Sequence, residues 1–101
     1  MMNYEIFKEV VKEKFMDYMP DNFKGMELVV MPVEKVNMTY DGISIRGKDT
    51  NISPTIYIND MYEKYQNCGD LEETLMAACD LMAMEFAKTP QVVDVDSLSL
   101  I

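Results

Sequence analysis

The chain opens with apolar residues spaced three or four positions apart, the periodicity of an α-helix. Between Asn3 and Met19 charged residues occupy the opposite face of that helix. Asn3 is a suitable N-cap, and Pro20 ends the segment. The pattern predicts an amphipathic first helix with an apolar stripe formed by Tyr4, Phe7, Val11, Phe15 and Tyr18.

The period then changes towards two, and β-branched residues dominate as far as Ile58. We expect three strands, at Glu27 to Val36, Thr39 to Gly47 and Ile52 to Ile58, with turns at 37–38 and 48–51. Connections this short join antiparallel neighbours, so the sheet should be a meander with the middle strand in the centre. Pro32 and Pro54 fall in the two outer strands, where a missing amide donor is tolerated.

The middle strand predicts one buried and one wet face. Ile43 and Ile45 point to one side, whereas Ser44 and Arg46 point to the other. Asp41-Gly42 lies inside this strand and resembles a hairpin turn, but glycine within a strand more often marks a bulge or a close backbone approach. We favour the bulge.

Two helices follow the strands. Asn59-Asp60 is expected to cap a short helix from Met61 to Asn67, which Cys68-Gly69 closes. Asp70 then starts the last helix, with Glu73 in a capping-box relation, and that helix runs to Lys88.

The predicted fold is therefore α+β, in the order helix, three-stranded antiparallel meander, helix, helix. Residues 1–90 form a single domain on this interpretation, and 101 residues suffice for one core. Residues 91–101 form a C-terminal extension whose alternating, apolar sequence favours a short strand. Because an apolar terminus is unusual, we expect that this sequence has been cut from a longer chain.

The last helix is apolar nearly all round, since only Asp80 and Glu85 are polar between Leu75 and Ala87. Such a helix is expected to be buried on more than one side. A wheel at 100° per residue gives a core face formed by Leu71, Leu75, Ala78, Cys79, Met82 and Phe86. The second face is our candidate interface, with small residues that permit close approach: Met76, Ala77, Asp80, Ala83, Met84 and Ala87. The eleven methionines fit either core filling or an adaptable docking surface.

Little in the sequence points to a reaction. The absence of histidine removes the commonest general base and metal ligand, and two cysteines without a CxxC motif do not make a zinc site. No glycine-rich phosphate loop is present. We therefore assign no catalytic residue, cofactor or metal. A cleft formed by Tyr57, Asn59, Asp60 and Tyr62 is conceivable, although aromatic residues at such a junction more often belong to the core or its rim.

The charge and the cysteines indicate which partners and which compartment to expect. A net charge of −9 repels nucleic acids and anionic lipids. The start shows no secretory signal, no apolar run approaches the length of a membrane span, and two cysteines suit a reducing cytoplasm. We expect a cytoplasmic protein without nucleic-acid or membrane partners.

Four stretches of the sequence are characteristic: MNYEIFKEVV, residues 41–46, residues 51–65, and Gly69-Asp70-Leu71-Glu72-Glu73. Together they resemble a family of bacterial proteins catalogued only as a domain of unknown function. The resemblance implies no activity and no catalytic residues, and it implies that this chain is the N-terminal third of a longer protein.

We therefore expect an interaction or structural module of a larger cytoplasmic bacterial protein. Its partner would be the remainder of the polypeptide or, in its place, a second copy. Two alternatives stay open. One is part of an enzyme whose catalytic residues lie mainly in C-terminal sequence absent from this chain, and the other is a stand-alone oligomerisation domain.

Overall fold

The computed structural model describes residues 2–47 and 52–88. Its elements follow the predicted order, which confirms the α+β fold. They are α1 (Tyr4–Lys14), β1 (Glu27–Lys35), β2 (Met38–Arg46), β3 (Ile56–Tyr57), α2 (Ile58–Cys68) and α3 (Leu71–Lys88), with short 3₁₀ turns at Phe15–Tyr18 and Asp21–Phe23. The turn at 48–51, the C-terminal strand and the division between residues 90 and 91 lie outside the described residues.

The sheet has the predicted antiparallel order, β1-β2-β3, with β2 in the centre. Pro32 lies in β1, an edge strand, as expected. The first hairpin turns one residue earlier than predicted, at Val36 and Asn37, whose φ angles are 45° and 66°. Positive φ at both central residues is the geometry of a two-residue turn that matches the strand twist.

The predicted bulge at Gly42 is wrong. β1 and β2 pair in one unbroken register from Glu27↔Arg46 to Lys35↔Met38. The glycine instead permits a close approach, because a Cβ at this position would lie 2.7 Å from Cγ2 of Thr55 and 3.1 Å from Cγ2 of Val33.

The third strand is much shorter than predicted. Only Ile56–Tyr57 forms β3, while Ile52 makes an isolated bridge to Arg46 and Pro54 lies between the two paired segments. Between these two segments, hydrogen bonds from Ser53 to β2 take the place of regular strand pairing. Its hydroxyl accepts a hydrogen bond from the Ile45 N–H at 2.9 Å, and its own N–H donates to the Ile45 carbonyl at 2.9 Å.

The caps of α1 and α3 form as predicted, but that of α2 does not. Asn3 Oδ1 accepts from the Ile6 N–H at 2.9 Å, and Asp70 Oδ1 accepts from the Glu73 N–H at 3.0 Å. α1 ends at Lys14 and continues only as a 3₁₀ turn to Tyr18, short of the predicted Met19.

α2 begins at Ile58, directly after β3, so Asn59 and Asp60 lie inside its first turn rather than capping it. The Asn59 amide oxygen is used elsewhere, because it accepts from the Asp41 N–H of β2 at 2.8 Å. Gly69 closes the helix as expected, with φ at +70°.

The helices cover one face of the sheet. Ile43 and Ile45 are fully buried beneath them, together with Phe7 of α1 and Leu75 of α3. The face of the sheet that was predicted to be solvent-exposed is buried at Ser44, which is only 2% exposed. The Thr55 methyl group lies over this same face at Gly42, two residues from Ser44.

Candidate functional site

α3 divides into the two faces that the helical wheel gives. The core face is buried or half-buried, and at its centre the Cys79 thiol donates to the Phe15 carbonyl at 3.2 Å. Burial, followed by the charge of Asp80, raises the pKa of Cys79 to about 12. A thiol held in its neutral form is a poor nucleophile, so Cys79 serves packing.

The opposite face of α3 is open. Met76 is 49% exposed, Met84 is 52% exposed, and Leu81 beside them is 43% exposed. Ala77, Asp80 and Ala87 of the candidate interface are also exposed, whereas Ala83 packs against the core. In the described part of the chain α3 is therefore buried on one side, and the face that we assign to a partner or to further sequence is uncovered. The role of this face as a contact surface stays a prediction.

The candidate cleft separates into two places. Tyr57 and Asp60 line the same groove. Asn59 turns towards β2 instead, and Tyr62 lies among the aromatic rings of α1, where its hydroxyl donates to the Met2 carbonyl at 2.9 Å. The ring of Tyr62 lies 5.4 Å from that of Tyr4, centroid to centroid. The two residues that do not line the groove therefore hold α2 to its neighbours.

The groove lies where α2, α3 and the end of the sheet meet, and it has a volume of about 450 Å³. Its floor on α3 is a single stripe at helical spacing, formed by Thr74, Ala77, Ala78 and Leu81. Met61 of α2 and the segment from Thr55 to Tyr57 complete the apolar lining. Of these α3 residues, the sequence analysis named only Ala77 for the candidate interface and Ala78 for the core face. It did not identify the groove, because the two helices that form it meet only in three dimensions.

Two depressions adjoin this groove, and both are acidic. One shares Ala77 with it and extends along the first turns of α3; the other shares Asp60 and Lys64 and extends along α2. Together the three depressions are lined by the carboxylates of Asp60, Glu63, Asp70, Glu72, Glu73 and Asp80, with Lys64 as the cation among their lining residues. The groove itself carries Asp60 and Lys64, and the acidic depressions on either side of it form what we call its acidic rim.

The sheet carries a second apolar surface that the sequence analysis missed. The face turned away from the helices bears Val29, Met31 and Val33 of β1 opposite residues of β2, with Tyr40 and Tyr57 at one end. The two tyrosine rings lie 5.6 Å apart, and Lys35 Nζ lies 4.2 Å from the centre of the Tyr57 ring. The signal was present in β1, since Leu28 to Val33 is apolar without alternation, which is typical of a strand covered on both faces.

Where α1 meets the sheet, the Asp41 carboxylate contacts two side chains of α1. The Tyr4 hydroxyl donates to its carboxylate at 2.5 Å, and Lys8 Nζ lies 3.3 Å from the other oxygen. Burial, and then this hydrogen bond to a carboxylate, raises the pKa of Tyr4. These contacts fasten α1 to β2, and they provide no open position for a substrate.

In residues 2–47 and 52–88 no three His, Cys, Asp or Glu side chains converge to hold a metal ion. Among the helices of the same residues, none is long and apolar enough to cross a membrane.

Comparison with known families places the chain. Residues 4–100 match the model of a family of unknown function, DUF5688, so the match covers nearly the whole sequence. The protein belongs to this family, as its resemblance predicted. The searches of curated proteins and of solved structures return no match.

Proposed function

We propose that this domain is a non-catalytic interaction module of a larger bacterial protein, with the open face of α3 as its contact surface. The observation that carries the proposal is the row of half-exposed apolar side chains, Met76, Leu81 and Met84, on one side of a single helix. Exposed apolar side chains grouped on one face of a helix are typical of interaction sites in soluble proteins.

The energetics favour covering this face. Fully burying an exposed side chain of this size contributes about 1.5–3 kcal/mol, so covering the exposed half of each contributes roughly half of that, and methionine adapts its shape to different partners. Ala77 and Ala87 are small, so the backbone of a partner can approach closely between the larger side chains. The apolar outer face of the sheet gives the same indication from the other side of the molecule. The partner we propose is the remainder of the polypeptide or a second copy.

The cytoplasm is the compartment we infer for this module. Cys68 and Cys79 are both unpaired, and Cys79 is fully buried where no second thiol could reach it without unfolding. Free thiols persist in reducing compartments, which supports a cytoplasmic location.

Site-specific photo-crosslinking in the bacterium that carries the gene tests the proposal. A benzophenone amino acid at Met84 is compared with the same residue at Glu13, an exposed position on α1. We expect a discrete product from position 84, which mass spectrometry assigns to the rest of the polypeptide, to a second copy or to another protein. With the benzophenone amino acid placed at Met76 of the same face, the substitution Met84→Glu should abolish the crosslink and leave the urea midpoint of unfolding unchanged.

Two results would refute the module. One is the same set of products from positions 84 and 13, which means that the α3 face makes no specific contact. The other is a large fall in the urea midpoint for Met84→Glu, which means that the side chain belongs to the core of its own domain.

A further inference from the structure

We propose that the groove between α2 and α3 binds a basic amphipathic helix that the partner of this interaction module supplies. This inference rests on the proposed interaction function and specifies the chemistry of the partner. It depends on three features of the groove: an apolar floor, an acidic rim, and an edge strand too short for strand addition.

The floor of the groove suits the apolar side of a helix. Leu81 and Ala77 lie between the groove and the open face of α3, so an element seated in the groove also contacts Met84. From Glu73 to Met84 is three turns of α3, about 16 Å at 1.5 Å per residue. A partner helix of about 12 to 18 residues matches that length, and helix-in-groove recognition uses such apolar anchors.

The neighbouring sheet edge argues for a helix rather than a strand. β3 has only two residues, Ile56 and Tyr57, and Pro54 lies just before them with no N–H to donate. Strand addition takes its affinity from a row of main-chain hydrogen bonds. Two residues offer too few of them, so side-chain contacts in the groove must supply the affinity.

The rim selects the sign of the partner's charge. Six carboxylates and one ammonium group line the groove and its adjoining depressions, a formal balance of −5. Exposed carboxylates steer and retain a segment that carries Lys or Arg beside its apolar face, and they repel acidic segments.

The same rim disfavours a second copy as the occupant. In a twofold dimer the same patch forms both sides of the interface, so the Glu73 and Asp80 carboxylates would face a patch that carries the same carboxylates. Each chain also carries a net charge of −9. A copy seated through α3 would therefore bury like charges against each other, whereas a basic helix neutralises them.

Fluorescence anisotropy with three synthetic peptides tests this inference on the full chain. The probe is an 18-residue amphipathic helix of Leu and Lys carrying a fluorescent label. A peptide with Glu in place of Lys keeps the apolar face and reverses the charge, and a scrambled Leu/Lys peptide keeps the composition and removes the face. We expect the amphipathic Leu/Lys peptide to bind at least tenfold more tightly than either control, with affinity that falls as salt rises.

Variants of the chain locate the binding. Leu81→Ser should weaken the Leu/Lys peptide about tenfold, as expected for an apolar anchor. Glu73→Gln combined with Asp80→Asn should weaken it about threefold to tenfold, since each exposed charge pair contributes modestly. The matched control is Glu13→Gln on α1, which removes one exposed carboxylate and should leave affinity unchanged. Urea midpoints of all variants confirm that they fold.

The inference is overturned if the scrambled or Glu peptide binds as tightly as the amphipathic Leu/Lys peptide, or if Glu13→Gln weakens binding as much as the changes at the groove. It is also overturned if light scattering shows a dimer that Leu81→Ser dissociates but that the Leu/Lys peptide does not disrupt. Crosslinks from Met84 separate the two proposals: crosslinking without binding of basic peptides leaves the module in place and refutes only the partner's chemistry.

Discussion

Replacing Gly42 by alanine tests the close approach between β2 and the segment before β3. The new Cβ would lie 2.7 Å from Thr55 Cγ2 and 3.1 Å from Val33 Cγ2, so at least one neighbour must move. Overpacking of this kind costs about 1–3 kcal/mol, and the loss of glycine's freedom in the unfolded chain returns about 0.4–1 kcal/mol. We expect Gly42→Ala to lower the free energy of unfolding by about 1.5 kcal/mol, or the melting temperature by about 6–12 °C.

The cause can be separated from a general effect of the substitution. Thr55→Ser removes only the methyl group that meets the new Cβ, and since Thr55 is exposed this change alone should shift stability by less than about 0.5 kcal/mol. Urea unfolding followed by circular dichroism then gives a double-mutant cycle. We expect Thr55→Ser to restore about 1 kcal/mol in the Gly42→Ala background. Additivity within about 0.4 kcal/mol, or no loss of stability in Gly42→Ala, would refute this account of the glycine.

Three further predictions concern buried polar groups. Asp41→Asn should lower the free energy of unfolding by about 1.5 kcal/mol, because Tyr4 loses a charged hydrogen-bond acceptor. The same change should lower the pKa of Tyr4, measured by alkaline titration followed by ultraviolet absorption, and an unchanged titration would contradict the contact. Ser53→Ala should cost about 1–2 kcal/mol in urea unfolding, because the main-chain N–H that its hydroxyl satisfies stays buried, and a neutral result would mean that water replaces the hydroxyl. Burial raises the pKa of Cys79 to about 12, against about 8.5 in an unfolded chain. The resulting contribution to stability is complete below pH 8 and is lost as the pH rises, by about 1.4 kcal/mol per pH unit between pH 9 and 11. Stability measured from pH 8 to 10 should therefore fall less steeply in Cys79→Ala than in the unaltered chain, and equal slopes would contradict the shift.

The parts of the fold that local physics controls were predictable from the sequence. The caps at Asn3 and Asp70 use side chains three residues from their partners, and Gly69 supplies its own left-handed backbone. The two faces of α3 follow from helical periodicity alone. Each of these features depends on residues that are neighbours along the chain.

The errors arose where a distant residue decides the local structure. Asn59 resembles a cap by its type, but its amide accepts from β2, so α2 starts earlier than its sequence suggests. A Cβ at Gly42 would meet Thr55, thirteen residues away, and although a strand glycine is typical of a close approach, no local pattern identifies the residue that approaches it. The groove joins Asp60 and Leu81 from different helices, and no spacing rule connects them.

Pro32 has a consequence for how the free domain behaves at high concentration. β1 is an edge strand nine residues long, and its apolar side chains would suit addition of a strand from another molecule. Proline in the middle of that edge has no N–H to offer, and Glu27, Glu34 and Lys35 add charge at its two ends. A row of main-chain hydrogen bonds between β1 strands of two molecules is therefore interrupted at its centre. This interruption protects the exposed edge from aggregation without covering the apolar face of the sheet.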